Sequence, residues 1–247
     1  MRRFISLLLL PCVALMMLTS CSLFEDVADE TLQIESETIE TIMDMDNLIT
    51  ELYSIDSLEP VSEYSDSVYF HVPQINCTTD DAIAINNDIQ EKYGELVEEE
   101  MASYENGYSC GCCYIGWELY VDDDNTFALI VFREYSSDDI YYDVYNFSAV
   151  TGRKVGNREI LSKMNLTDEE FIEKAQIAVT AQYNDMNSWV TPDIPWYSEV
   201  ENGLAETMGN INVDMPMFIN QNGGLSIIAM INTFAGSGYQ YTIVEIV

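Results

Sequence analysis

Four polar residues, Asp122-Asp123-Asp124-Asn125, separate two runs of alternating apolar and polar character, Tyr114–Val121 and Thr126–Arg133. A short Asp/Asn turn between two such runs closes a β-hairpin, so the middle of this chain has to be antiparallel sheet. Tyr141–Val150 reads as a third strand and Thr151-Gly152 as the turn after it. Upstream, Ser67–Val72 alternates as a strand that Pro73 closes or marks as an edge. "TTDDAIAINNDIQEKYGELVEEEMASY" is the clearest helix. Thr79 or Asp80 caps it, and Ile85, Ile89, Tyr93, Leu96 and Val97 form its apolar stripe. Glu98-Glu99-Glu100 reads as a solvated face, opposed by the helix dipole, that frays or bends the last turn.

Downstream, Thr167-Asp168-Glu169-Glu170 is a capping box. The helix it opens continues through Phe171, Ala175, Ala178, Val179 and Gln182. "TPDIPWYSEVENG" (191–203) reads as a loop. Met215–Asn220, Leu225–Thr233 and Tyr239–Val247 read as strands, with a turn at Asn222-Gly223-Gly224. The expected fold class is α+β, a mostly antiparallel sheet packed with two main helices.

The amino end is of another kind. Arg2 and Arg3 precede an apolar stretch, Phe4–Met17, too short for a stable span. Leu18-Thr19-Ser20-Cys21 follows and resembles a bacterial lipobox. That resemblance implies cleavage before Cys21 and a lipid-modified sulfur bearing palmitate-type chains. The chain is then anchored to the outer face of a cell membrane, since more than one acyl chain is enough to hold it. The expected organisation is a signal peptide at 1–20, an acidic tether at 21–63 and an α+β domain at 64–247, with candidate subdomains 64–155 and 156–247. The tether carries thirteen acids between Glu25 and Glu63 and no Lys or Arg. Ile39, Ile42, Met45, Ile49 and Leu52 place a short amphipathic helix within it.

Charge narrows the partners. The chain has 43 Asp and Glu against 9 Lys and Arg, a formal charge of −34. Losing Arg2 and Arg3 with the signal peptide takes this to −36. Such a surface excludes nucleic acid and attracts cations and basic proteins; it also serves solubility alone. Arg153, Lys154, Arg158, Lys163 and Lys174 cluster, and pairing with nearby acids is the expected reason.

Cys77, Cys110, Cys112 and Cys113 remain once Cys12 is removed and Cys21 is lipidated. Outside the cell they are candidates for disulfides. Free thiols, a metal site and a redox pair are the alternatives, and "CGCC" fits zinc spacing poorly. The Asp122–Asn125 turn lacks the calcium-loop pattern. No G-x-S-x-G, H-E-x-x-H or Walker loop is present, and His71 is the one histidine. A carboxylate pair for glycosidase work would arise by chance among so many acids. No catalytic, cofactor-binding or metal-ligating residue is assigned. Tyr135, Tyr141 and Tyr142 are the candidate ligand-binding residues, because tyrosine is favoured at binding surfaces.

"VYFHVPQI", "AINNDIQEKY", "FALIVFREY", "YNFSAVTGRKVGNREIL" and "GLSIIAMINTFAGSGYQYTIVEI", in that order, resemble one family. It comprises the paired DUF4163- and DUF3298-like extracytoplasmic modules of RsiV-type anti-sigma factors and of proteins with peptidoglycan deacetylase domains. The resemblance covers Tyr64–Val247, and "CGCC" departs from it. It implies an envelope-facing sensing or wall-binding module without its own catalytic domain. The expected function is a non-enzymatic surface binding module for a basic protein, such as lysozyme, or a wall glycan. A peptidoglycan-modifying enzyme or its accessory subunit, and a purely structural lipoprotein, are the alternatives.

Overall fold

The computed structural model describes residues 47–58, 67–137, 139–193, 199–234 and 238–246. Cys21, the expected signal peptide and most of the expected tether lie outside them. Among the described residues no helix is long and apolar enough to cross a membrane.

The architecture is α+β, with two sheets. The first has the order β1 (Ile49–Leu58), β2 (Val68–Ile75), β3 (Cys112–Val121), β4 (Thr126–Tyr135), β5 (Ile140–Ser148). All its pairs are antiparallel except β2–β3. A parallel pair needs a long crossover, and the helical segment supplies it: α1 (Asp80–Ile89), a π-helical turn (Gln90–Gly94) and α2 (Glu95–Glu105). Thr79 is the N-cap of α1 and accepts from the Ala82 nitrogen at 3.4 Å. Despite its acids α2 does not fray early. Gly107, at φ 80°, lets the Tyr108 nitrogen return to the Ser103 carbonyl and close the last turn.

The second sheet has the order β6 (Met217–Ile219), β7 (Leu225–Asn232), β8 (Tyr239–Glu245). With it belong α3 (Asn157–Lys163), α4 (Asp168–Met186) and α5 (Glu199–Gly209). The capping box is formed, with Thr167 accepting from the Glu170 nitrogen and Glu170 reaching back to the Thr167 nitrogen.

"FALIVF" and "LSIIAMI" break the apolar–polar alternation for one reason. Both are covered on both faces. In β4, Phe127, Leu129 and Val131 pack with Phe70, Ile89 and Tyr93 in one core. Ala128 and Ile130 face the other way, onto Phe218 and Ile228 of the second sheet. In β7, Leu225, Ile227, Ala229 and Ile231 enter a further core with Phe171, Val179 and Tyr183 of α4. The layers therefore run helix, sheet, sheet, helix. The change from the first core to that of α4 falls between Ala149 and Val155.

Three expectations are corrected. The tether does not extend to residue 63, because Ile49–Leu58 is β1. Ile49 and Leu52, placed on an amphipathic helix, lie in that strand; Ile39, Ile42 and Met45 fall outside the described residues. Ile49, Tyr53, Ile55 and Leu58 pack on the first core, and β2 pairs their backbone with register shifts between Glu51 and Tyr53 and between Ile55 and Leu58. The end of the 191–203 loop is helical, since α5 begins at Glu199. Short α3 arises without a side-chain cap, at Gly156, and carries no readable start signal.

Candidate functional site

β2 alternates strictly at its start: Val68, Phe70 and Val72 are buried, Tyr69 and His71 are not. Tyr69 therefore points away from the helices. Its partner on β3 is Tyr114. A register shift between Cys112 and Tyr114 inserts Cys113 as a bulge. Without that extra residue Cys112 and Tyr114 would share a face. With it, Cys112 is fully buried in the first core and Tyr114 lies outside.

A row of rings results across four strands. Tyr69 and Tyr114 are 6.1 Å apart, Tyr114 and Phe132 are 5.6 Å apart at 14°, and Phe132 and Tyr142 are 6.0 Å apart. Gly116 makes the room. A Cβ there would stand 2.5 Å from Tyr114 Cε1 and 2.9 Å from Phe132 Cζ. The second sheet covers this face farther along, where Tyr120 stacks on Phe218 at 5.5 Å. Tyr69 and Tyr114 remain 38% and 36% exposed.

Carboxylates border the row. Glu134 pairs with Tyr114, and Glu118, two residues beyond Gly116, accepts from the Tyr120 hydroxyl. Burial raises the Tyr142 phenol above its ordinary range, and Glu118 and Glu134 raise it further. Burial and then Glu118 push Tyr120 up to about 12. Toward β1, His71 Nδ1 is 3.0 Å from Glu51 and its Nε2 is 3.2 Å from Asp56. Trp117 Nε1 donates to the same Glu51 oxygen at 3.3 Å. Among the described residues no Lys or Arg lies over a ring of the row; the cations over aromatic rings stand on Tyr93, Tyr135, Tyr141 and Tyr145. Arg133 alternates to the other side of β4, and Lys92 pairs there with Asp88 and Asp143.

The sequence candidates divide. Tyr135 and Tyr141 meet edge to face at 5.8 Å, and Tyr141 continues to Tyr241 at 5.5 Å. Tyr142 lies on the opposite face of β5, in the row. Tyr69, Tyr114 and Phe132 were missed. Their two-residue spacing from neighbouring apolar residues was visible, but the β2–β3 pairing that aligns them was not.

Among the described residues no disulfide joins the cysteines. Cys77 Sγ lies 3.4 Å from Thr79 Oγ1, and Cys110 Sγ lies 3.6 Å from the Glu100 carbonyl. Burial, then the Glu100 carboxylate, pushes Cys110 up to about 11 and Cys112 up to about 12. Thiols held protonated in this way are poor nucleophiles at neutral pH. Among the described residues no group of three His, Cys, Asp or Glu is placed to hold a metal ion. In the Asp122–Asn125 turn the Lys163 ammonium fills the place between the oxygens, 2.9 Å from Asp122, 3.6 Å from Asp124 and 2.6 Å from Thr126. Arg153 pairs with Glu159 and Arg158 with Asp168. The basic cluster is thus largely paired internally.

No family model matches the chain, and no curated protein matches it.

Proposed function

We propose that the chain is a lipid-anchored, non-enzymatic binding or sensing module of the cell surface, held through Cys21, whose open sheet face captures a basic protein. A cationic lysozyme is the concrete candidate. The observation that carries this reading is the Tyr69–Tyr114–Phe132–Tyr142 row, bordered by Glu118 and Glu134 and with no Lys or Arg over its rings among the described residues. Aromatic rings beside carboxylates suit Lys and Arg side chains, through cation–π attraction and charge-assisted hydrogen bonds. The net charge steers such a partner from a distance. The family resemblance points to the same class of sensor.

The test is titration of the mature chain with lysozyme at low and at physiological salt. The expected result is saturable binding that survives physiological salt, where screening acts over about 8 Å. Tyr114→Ala is expected to weaken it about tenfold or more, the loss of a central aromatic anchor. Binding that vanishes with salt, or that Tyr114→Ala leaves unchanged, overturns the reading.

One observation favours a wall glycan instead. A polar cleft of about 500 Å³ lies between the β3–β4 and β6–β7 turns, lined by Asp122, Asp124, Lys163, Asn220 and Asn222. Titration with soluble wall fragments, read against Asn222→Ala, decides for or against it.

A further inference from the structure

Arg133 is the anomaly in this acidic chain. The other two partly buried cations each have two carboxylates: Lys92 lies 2.9 Å from Asp88 and 2.7 Å from Asp143, and Lys163 lies 2.9 Å from Asp122 and 3.6 Å from Asp124. Arg133, half-buried, makes no ion pair among the described residues. The acids that act on its surroundings are already engaged. Asp143 takes the Lys92 ammonium and the Tyr93 hydroxyl, and Glu100 takes the Gly111 and Cys112 amides.

What surrounds the guanidinium instead is aromatic. Its Cζ lies 5.6 Å from the Tyr93 ring centre, 6.0 Å from Tyr135 and 5.5 Å from Tyr141. Rings occupy the guanidinium's surroundings without supplying acceptors to its N–H edges. Nη1 donates to the Lys92 carbonyl at 3.4 Å. Nε is buried and has no acceptor among the described residues. An orphaned charged donor of this kind is costly unless something completes it.

We propose that Arg133 is an anion subsite that takes a planar carboxylate on its guanidinium, bordered by the touching rings of Tyr135 and Tyr141. Guanidinium and carboxylate match as two parallel hydrogen bonds, and an ammonium cannot reproduce that fork. The surrounding rings strengthen the attraction by limiting water. The subsite stands independently of the basic-protein reading, since it lies on the face of β4 and β5 opposite the aromatic row. Tyr141 and Tyr142 are consecutive, so one partner reaching around the β5 edge would meet both.

The experiment is a nitrogen-15 NMR titration of the full chain with sodium acetate, exchanged against sodium chloride at constant ionic strength. The expected result is a saturable shift of the Arg133 Nε–H and of the Tyr141 amide. Arg133→Lys, which keeps the charge, should cut the apparent acetate affinity at the Tyr141 amide at least tenfold. Should that variant fail to fold, Tyr141→Ala, which opens the cage, should weaken the Nε–H response to acetate. A response that is linear, or no larger than that to chloride, overturns the subsite and leaves an internal water as the missing acceptor. Lysozyme binding is read separately, so the two proposals fail independently.

Discussion

Glu100 Oε1 lies 2.7 Å from the backbone nitrogen of Cys112, and its Oε2 accepts from Gly111 at 2.9 Å. One carboxylate of α2 therefore holds the foot of β3, where the bulge turns Cys112 inward and Tyr114 outward. Glu100→Gln leaves a single acceptor oxygen for two amides. The expected cost is about 1–3 kcal/mol, the range for a hydrogen-bonding group left without its partner, measured by denaturant unfolding.

The same substitution tests the thiols. Cys112 is pushed from the ordinary 9.0 to about 12, by burial and then by Glu100. The folded state thus keeps a proton that the unfolded state loses. That contribution is complete below pH 9 and is lost as pH rises toward the folded value. The wild-type Tm should fall between about pH 9 and 11, less so in Cys112→Ser. At pH 8 native Cys110 and Cys112 should alkylate slowly, and Glu100→Gln should speed both. If no cysteine alkylates even in denaturant without reductant, the sulfurs are paired and this prediction is lost to the disulfide alternative.

Gly116→Ala should disturb the aromatic row directly. The new Cβ meets Tyr114 and Phe132 inside contact distance, and Phe132 has little freedom between Tyr114 and Tyr142. Overpacking of this kind costs about 1–3 kcal/mol. The diagnostic result is a lowered Tm together with changed near-ultraviolet circular dichroism of the rings. An unchanged Tm would mean that both rings swing clear freely.

At the β1 edge, burial raises the Glu51 carboxyl, but hydrogen bonds from Ser54, His71 and Trp117 outweigh it and leave it below its ordinary range. A depressed carboxyl stabilises the fold above its unfolded value, and that stability is lost as pH falls through the folded value. The Tm drop below about pH 4.5 should therefore be shallower in Glu51→Gln than in wild type. Equal slopes would show that the His71–Glu51 contact contributes nothing to holding β1.

The fold class, the β3–β4 hairpin, the capped helix at Asp168 and the last two strands were legible in the sequence because each has a local cause. Asp122 closes its turn through its own neighbours, with Oδ1 accepting from the Asp124 and Thr126 nitrogens. Thr167 and Glu170 cap each other within one turn. What was not legible is long-range. β1 was mistaken for a helix because Ile49 and Leu52 fit a 3.6-residue period. Pairing with β2 imposes a two-residue one, with a shift at Leu52. Glu98 and Glu100 looked like solvent-facing charge, yet they accept from Tyr53 and from the cysteine loop. The row through Tyr69, Tyr114 and Phe132 depends on a bulge and a parallel pairing that no local pattern announces.

Lys163 and Asp122 give the sharpest test of how the two halves are joined. Lys163 comes from α3, packed with the second sheet, and reaches the turn of the first, 2.9 Å from Asp122 Oδ2. The side chains are only 27% and 12% exposed, so solvent screens the pair less than a surface bridge. Removing the ammonium alone leaves Asp122 with an uncompensated charge, although its other oxygen still holds two backbone amides. Asp122→Asn and Lys163→Met together should therefore destabilise less than the sum of the two single substitutions. A double-mutant cycle should give a coupling of about 0.5–3 kcal/mol, read from urea midpoints at unchanged m. Coupling near zero would mean that the halves are held by other contacts, such as Phe218 and Ile228 on Ala128 and Ile130, and that the ion pair merely follows.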